Sequence, residues 1–141
     1  MKRDPGRILA IDYGTKRIGL ALSDPMHILA SGAGTLANDG ELFERIVALV
    51  RSHDVTLVVV GMPYAPDGGR GQKAREVGTF IDRLRAALEI PVTTWDESFS
   101  SVNARGAMRE GGMKRKQRQE KGRVDEMAAR LLLQEYMESA G

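Results

Sequence analysis

Residues 8–24 read Ile-Leu-Ala-Ile-Asp-Tyr-Gly-Thr-Lys-Arg-Ile-Gly-Leu-Ala-Leu-Ser-Asp, two apolar runs separated by turn-forming residues. Short apolar runs on either side of a turn are typical of a β-hairpin inside a sheet. Asp12 ends the first run, and strand alternation places it on the same face as Ile8 and Ala10. A buried carboxylate costs several kcal/mol unless a cation or hydrogen-bond donors meet it. Asp12 is therefore predicted either to stabilise its turn or to bind a metal ion.

The chain has 141 residues, 42% of them hydrophobic and none of them cysteine. Such a length and composition predict a single globular domain over residues 1–141 with its own hydrophobic core. No apolar stretch approaches the roughly 20 residues of a membrane helix, and the first residues lack a signal-peptide pattern. The absence of cysteine excludes disulfides and thiolate metal ligands. We therefore expect a cytoplasmic protein.

Positive charge is concentrated in residues 114–123, called the basic segment below, although the net charge of the chain is only +2. The segment holds six of the 21 basic residues and one of the 19 acidic residues, so the rest of the chain is slightly acidic. This distribution indicates contact with a polyanion, although a solvated surface loop would have the same composition. The residues expected to contact nucleic acid there are Lys114, Arg115, Lys116, Arg118, Lys121 and Arg123.

Hydrophobic periodicity predicts an α/β fold with three strands before the first helix. Residues 27–36 are expected to form a strand at a sheet edge or with a bulge, because the centre of this run is rich in Gly and Ser. A compact β-branched run at 55–60 predicts a buried strand. The remaining expected elements are helices at about 40–52, 72–88, 99–110 and 123–138 and a short strand at 91–95, with Asn38 and Asp39 as an N-cap signal. A hairpin start followed by a mostly parallel second half belongs to the α/β class.

Acidic residues lie where the carboxyl ends of parallel strands would collect them, which is where ligands bind in such sheets. Asp12 ends the first strand, and Asp96 and Glu97 follow the last one. Asp125 is expected in the first turn of the last helix. Each acid has an ordinary explanation as a turn, cap or helix-dipole residue. Together they form an all-oxygen donor set suited to Mg²⁺ or Mn²⁺, and two such ions about 4 Å apart commonly serve in-line displacement at a phosphodiester.

Asp125 shares one face of the last predicted helix with small and apolar residues, so its side chain is expected to face the protein interior. Those residues are Ala128, Ala129 and Leu132. An inward acid needs a partner, and no basic residue lies on this face within one helical turn. Glu126 and Arg130 are expected to form an i,i+4 pair that faces water.

A Gly/Pro-rich loop at 61–71 precedes the second predicted helix, so its backbone N–H groups are candidates for phosphate binding. The residues expected to make these contacts are Gly68, Gly69, Arg70 and Gly71. No Gly-Lys-Ser/Thr closes the loop, so it is not a Walker A motif, and a plain connector remains an alternative. The two histidines, His27 and His53, lack a partner in the sequence and are interpreted as structural or surface residues.

In its motifs the chain resembles the YqgF/RuvX family of Holliday junction resolvases and pre-16S rRNA nucleases. The matching residues are Asp12-x-Gly14-x-Lys16-Arg17-Ile18-Gly19 with Ser23-Asp24, Gly61-Met62-Pro63 with Asp67-Gly68 and Gly71, Asp96-Glu97, and Asp125 with Ala128-Ala129-x-x-Leu132-x-Gln134. Four motifs in the family's order cover nearly the whole chain, which makes the resemblance specific.

The resemblance implies a ribonuclease H-like fold, with a five-stranded mixed sheet flanked by helices. It also implies that Asp12, Glu97 and Asp125 are the catalytic, metal-binding acids. In our leading hypothesis Asp12 would bridge two Mg²⁺ or Mn²⁺ ions, and Glu97 and Asp125 would each bind one. The implied activity is metal-dependent hydrolysis of phosphodiester bonds, either in 5′-end processing of precursor 16S rRNA or at Holliday junctions. The partner would be precursor rRNA or branched DNA, bound by a monomer or a homodimer. Lys16 and Arg17 match the family pattern, but the sequence leaves open whether the turn points them toward or away from the metals, so they are not among the candidate catalytic residues.

Two other classes of function stay open at this point. The start Ile11-Asp12-x-Gly14-Thr15 is similar to the phosphate-binding hairpin of actin-like and sugar-kinase ATPases, but those enzymes need two lobes and this chain supplies one. The other class is a nucleic-acid-binding module with the same fold but no turnover. Ser98 favours it weakly, since the family usually has Arg after Asp-Glu, and the retained acids argue against it. Without that Arg, phosphate contact would fall to the basic segment.

Overall fold

The computed structural model describes residues 6–63, 71–96 and 121–140, with side chains from 124 to 139 in the last range. Within these ranges five strands form one mixed sheet and three helices flank it. The strands are β1 (Arg7–Asp12), β2 (Arg17–Ser23), β3 (Ala30–Ala37), β4 (Val55–Met62) and β5 (Val92–Asp96). The helices are α1 (Leu42–Ser52), α2 (Gln72–Ala87) and α3 (Lys121–Ala140). The helix expected at 99–110 lies outside the described residues.

β1 is the central strand, in the sheet order β3-β2-β1-β4-β5. It pairs antiparallel with β2 and parallel with β4, and β4 pairs parallel with β5. The carboxyl ends of β1, β4 and β5 therefore meet at one end of the sheet, called the carboxyl end below. The expected five-stranded mixed sheet, with a hairpin start and a parallel second half, is confirmed.

α1 and α2 cover one face of the sheet. Because side chains alternate along each strand, every second residue of the inner strands packs against the apolar stripes of these helices. The layer includes Leu9, Ile11, Ile18, Leu20, Val58 and Val60 of the sheet and Leu42, Ile46, Val77, Phe80 and Leu84 of the helices.

α3 covers the opposite face, where the sheet residues are smaller. This layer consists of Ile8, Ala10, Ala21 and Val59 of the sheet and Ala129, Leu132, Leu133 and Met137 of the helix. The predicted inward face of α3 is confirmed, since Ala128, Ala129 and Leu132 are all buried. No helix in the described ranges, including the 20-residue α3, is both long and apolar enough to cross a membrane.

Glu126 lies over β3 and does not form the expected exposed pair with Arg130. Its Oε2 accepts a hydrogen bond from the N–H of Gly34, at an N–O distance of 2.6 Å. Gly34 has φ +85°, in the left-handed region that glycine adopts without steric cost. The expected pair with Arg130 was wrong, because a hydrogen bond from a partly buried amide stabilises a carboxylate more than an exposed ion pair does.

β3 begins at Ala30, three residues later than expected, although its edge position is confirmed. Residues 24–29 form a turn around Asp24, whose carboxylate accepts three backbone hydrogen bonds. The donors are the N–H groups of Met26, Ile28 and Leu29, at 3.1, 2.6 and 2.7 Å. Met26, Ile28 and Leu29 are all more than 60% exposed. The apolar residues that suggested a strand therefore belong to a surface turn.

The start of α1 lies two residues later than predicted, and neither Asn38 nor Asp39 is its N-cap. The helix begins at Leu42 with Glu41 as its N-cap, and the Glu41 side chain makes no capping bond. Asp39 accepts hydrogen bonds from the Glu41 N–H at 2.9 Å and from the Arg45 guanidinium at 3.1 Å. The backbone donor and the nearby guanidinium lower the pKa of the Asp39 carboxyl.

Candidate active site

Asp12 is the buried acid of the sheet. It ends β1 at the carboxyl end, and only 2% of it is exposed. Ile8 and Ala10, which share its face, belong to the layer beneath α3. Asp12 therefore faces α3. Burying a carboxylate this deep is costly unless donors or a cation meet it, and a metal ligand needs the same environment.

α3 crosses the sheet directly beside Asp12. β2 places Gly19 opposite Asp12 in the antiparallel ladder. The helix backbone lies so close to Gly19 that a methyl group there would overlap the carbonyl oxygen of Asp125. Only glycine permits this approach. The structure thus brings Asp12 and Asp125 to the same face of the sheet, one strand apart.

Arg17 of β2 is an ion-pair partner of Asp125 from another element. Its Nε lies 2.9 Å from Oδ2 of Asp125, and the two side chains are 29% and 22% exposed. The direction of Arg17, which the sequence left open, is toward Asp125, because Arg17 is on the α3 face of β2. Lys16, by contrast, is exposed.

Asp125 also sits deeper in its helix than expected. α3 begins at Lys121, two residues earlier than predicted, so Asp125 is the fifth helical residue and not part of the first turn. The stabilisation that a helix dipole gives an acid fades beyond that turn. The ion pair with Arg17 therefore explains the side chain better than the dipole does.

Asn38 fixes the turn that follows Asp12. Its Nδ2 donates to the carbonyl of Gly14 at 2.8 Å, and its backbone N–H donates to the carbonyl of Lys16 at 2.9 Å. The turn between β1 and β2 is thereby attached to the end of β3. The sequence suggested only a helix cap for Asn38, since nothing local reveals a contact across 24 residues.

Asp96 ends β5 at the carboxyl end of the sheet but on the other face. It pairs with Met62 of β4, and Met62 belongs to the layer under α1 and α2. Residues paired across a parallel ladder point to the same face. Asp96 therefore does not share the face of Asp12 and Asp125. Glu97, the alternative at this strand end, lies outside the described residues.

The described part of the site fits a hard divalent cation. Asp12 and Asp125 supply carboxylate oxygens, the donors that Mg²⁺ and Mn²⁺ prefer. In residues 6–63, 71–96 and 121–140, no three His, Cys, Asp or Glu side chains are grouped closely enough to hold a metal ion. The third predicted ligand, Glu97, is not within those ranges.

Most of the residues predicted to contact phosphate lie outside the described residues. Gly71 is the N-cap of α2, with extended backbone angles of φ −80° and ψ −179°. Gly68, Gly69 and Arg70 lie outside the described residues, as do Lys114, Arg115, Lys116 and Arg118 of the basic segment. Lys121 and Arg123 form part of the first turn of α3, with their side chains outside the description.

The histidines take no part in the site. His27 has φ +59°, and its Nε2 lies 2.7 Å from the carbonyl oxygen of Gly6, so it links the 24–29 turn to the start of β1. His53 is exposed at the end of α1, with its Nδ1 2.9 Å from the hydroxyl of Ser52. Both match the structural or surface role expected for them.

Comparison with known proteins decides the family. The profile described as "RuvX: Holliday junction resolvase" matches residues 6–139. The chain belongs to the RuvX family. A relative from Parabacteroides distasonis is 42% identical over 135 residues, covering 95% of this chain and 96% of that protein, and a relative from Roseiflexus sp. is 39% identical over 141 residues, covering 99% of both. Both relatives bear the name "Putative pre-16S rRNA nuclease".

Solved structures show the same fold at low sequence identity. The RuvC protein of T. thermophilus, solved with a Holliday junction substrate, superposes with a TM-score of 0.60 at 14% identity, over 96% of this chain and 95% of that one. The Fowlpox virus resolvase, solved with Holliday junction DNA, gives a TM-score of 0.54 at 15% identity, over 95% and 98%. The RuvX-family chain therefore has the ribonuclease H-like fold that the motifs implied.

Proposed function

We propose that this RuvX-family chain is one nuclease domain, spanning residues 1–141, that hydrolyses phosphodiester bonds with the help of divalent metal ions. The observation that carries the proposal is the buried Asp12 at the carboxyl end of the sheet, one strand from Asp125 on the same face. An acid at this depth is costly without a cation or donors, and two acids from separate elements are brought to one place. Family membership and the names of the relatives support the same activity.

Asp12, Asp125 and Glu97 would hold Mg²⁺ or Mn²⁺. Bound there, such ions would supply an activated water molecule and charge stabilisation for the leaving oxygen of the phosphodiester. The rigid β1 would fix Asp12 in place, and α3 would present Asp125 to it across Gly19. Burial of Asp12 excludes bulk water from one side of the site, which strengthens every electrostatic contact there.

Glu97 is the better candidate for the third ligand than Asp96. Asp96 lies on the α1 and α2 face, opposite to Asp12. The choice between the two acids, which the sequence pattern alone left open, therefore favours Glu97.

The substrate we propose is the 5′ end of precursor 16S rRNA, encountered in the cytoplasm. The names of the relatives support it. Gly68, Gly69, Arg70, Gly71 and the basic segment would bind the phosphate backbone, through contacts that do not depend on base identity. The description of the family profile favours a second candidate, a Holliday junction.

One experiment tests both candidates. The purified chain is offered a precursor 16S rRNA 5′ fragment and a four-way DNA junction, each with Mn²⁺, and Asp12→Asn is compared with wild type. We expect Asp12→Asn to lose cleavage by roughly a hundred-fold or more, because several kcal/mol of transition-state stabilisation is lost. Its thermal unfolding should stay close to that of wild type, because Asn has nearly the same size and its side-chain oxygen can still accept hydrogen bonds.

Asp82→Asn is the matched control, because Asp82 is an exposed aspartate on α2. It should cleave as wild type does. Undiminished cleavage by Asp12→Asn would overturn the proposal. Binding of either substrate without cleavage by wild type, in Mg²⁺ and in Mn²⁺, would favour the non-catalytic module instead.

A further inference from the structure

Arg17 and Asp125 form an ion pair at the proposed metal site. The guanidinium Nε lies 2.9 Å from Oδ2, a distance typical of a charge-assisted hydrogen bond. A divalent cation bound by the same carboxylate would lie close to that guanidinium, and two positive charges at such a distance repel strongly even at the effective dielectric constant of a protein surface. A metal ion on Asp125 would therefore weaken the ion pair that Arg17 makes with the same carboxylate.

The surroundings of Arg17 allow its guanidinium to move away from Asp125. Both side chains of the pair are partly exposed, at 29% and 22%, so the guanidinium can turn into solvent at the cost of only a partly screened ion pair. Asp12, one strand away, is only 2% exposed, so its carboxylate cannot turn into solvent. A cation beside Asp125 reduces the repulsion between the two acids when no metal is bound.

We infer that Arg17 is a built-in counter-ion of the metal-free site, which holds the Asp125 carboxylate in position and is displaced from it when a divalent metal binds. Arg17 is thus a positioning residue that sets the metal affinity of the protein. This inference rests on the proposed function, because it requires a metal ion at Asp12 and Asp125. It adds a competition between a side chain and the metal that the proposed chemistry does not itself require.

The test measures metal binding directly, without activity. Mn²⁺ binding to the full chain is followed by electron paramagnetic resonance for wild type, Arg17→Gln and Arg17→Lys. Arg17→Gln should bind Mn²⁺ about two- to five-fold more tightly, which corresponds to the loss of one partly exposed ion pair. Arg17→Lys keeps the competing charge and should stay close to wild type. Without metal, Arg17→Gln should unfold at a slightly lower temperature, and added Mn²⁺ should raise that temperature more than it does for wild type.

Arg45→Gln is the matched control. Arg45 also forms ion pairs, with Asp39 at 3.1 Å and Glu41 at 3.0 Å, but these lie at the start of α1. Removing them should leave Mn²⁺ affinity unchanged. A second measurement uses wild type alone. The Nε–H resonance of Arg17 should shift during a Mg²⁺ titration, and the midpoint of this shift should equal the midpoint of metal binding.

The outcomes separate this inference from the function on which it rests. If wild type and Asp12→Asn bind Mn²⁺ equally, the metal site itself is wrong and the proposed function falls. If binding depends on Asp12 but Arg17→Gln binds with unchanged or weaker affinity, only the counter-ion role is overturned. The counter-ion role would also be overturned if the Nε–H resonance of Arg17 did not shift at saturating Mg²⁺.

Discussion

Gly19 is the residue at which the sheet and α3 meet. A methyl group there would overlap the Asp125 carbonyl oxygen, so Gly19→Ala must push the helix away from β2. We expect a loss of about 1–3 kcal/mol in the free energy of unfolding, as for other overpacked positions. We also expect weaker Mn²⁺ binding, since Asp125 moves with the helix backbone. Urea unfolding and metal titration measure the two effects.

Gly78→Ala is the control for that variant. Gly78 lies inside α2, and a Cβ there would meet no atom within 4 Å. Alanine should therefore stabilise the helix by about 0.4–1 kcal/mol and leave Mn²⁺ affinity unchanged. Wild-type stability and wild-type metal affinity in Gly19→Ala would show that α3 does not depend on close contact at this position.

Single residues differ in how far the sequence predicts them. The burial of Asp12 follows from alternation along one short strand, because the neighbours that define its face are two and four residues away. The ion pair of Asp125 with Arg17 joins residues more than 100 positions apart, and it depends on where α3 crosses β2. No local pattern contains that information, so the partner of Asp125 was missed although both residues were in the recognised motifs.

At the scale of elements, the 24–29 turn is organised by one carboxylate. The N–H of Leu29 contributes most to lowering the pKa of the Asp24 carboxyl, with further contributions from the N–H groups of Ile28 and Met26. A lowered pKa means that the ionised form is favoured in the folded state. The turn is therefore stabilised at pH values above the unfolded pKa of Asp, about 3.9, and this stabilisation is lost as pH falls through the lower folded value.

Asp24→Ala should release this turn without unfolding the sheet. At pH 7 the amides of Ile28 and Leu29 should exchange with solvent faster than in wild type, because their acceptor is gone. In wild type, a carbon-13 titration of the Asp24 carboxyl should give a midpoint below that of an unstructured Asp. Asp82→Ala, an exposed helical substitution, should leave both amides as they are. Unchanged exchange in Asp24→Ala would mean that the carboxylate does not hold the turn.

The elements themselves were predicted where their signals are local. The bounds of α1, α2 and β5 differ from expectation by no more than two residues, because apolar periodicity and flanking Gly or Pro mark them. The start of β3 was wrong because Met26, Ile28 and Leu29 have strand-like apolar side chains, whereas Asp24 decides the backbone there. A side chain that collects several amide donors has no periodic signature.

At the scale of the whole molecule, the candidate site is formed where α3 packs against the sheet. The sheet carries Asp12, and α3 carries Asp125. The sheet residues beneath α3 include Ala10, Ala21 and Gly19, whose small size permits a short distance between helix and sheet. The packing of α3, far along the chain from β1, therefore determines the geometry of the two acids. The other layer, under α1 and α2, stabilises the sheet without touching this geometry.

A pair of matched core variants can distinguish the effects of the two hydrophobic layers on metal binding. Leu132 in α3 and Leu84 in α2 are both fully buried. Leu132→Ala and Leu84→Ala should each lower the free energy of unfolding by about 2–5 kcal/mol, the usual cost of a large cavity. At a temperature where both variants remain folded, Leu132→Ala should bind Mn²⁺ more weakly than wild type, because α3 is held less firmly against β1 and β2. Leu84→Ala should bind it normally. Equal metal affinity in the two variants, at matched stability, would show that Asp125 keeps its place without the packing of α3, and that the site depends on contacts at Gly19 and Arg17 alone.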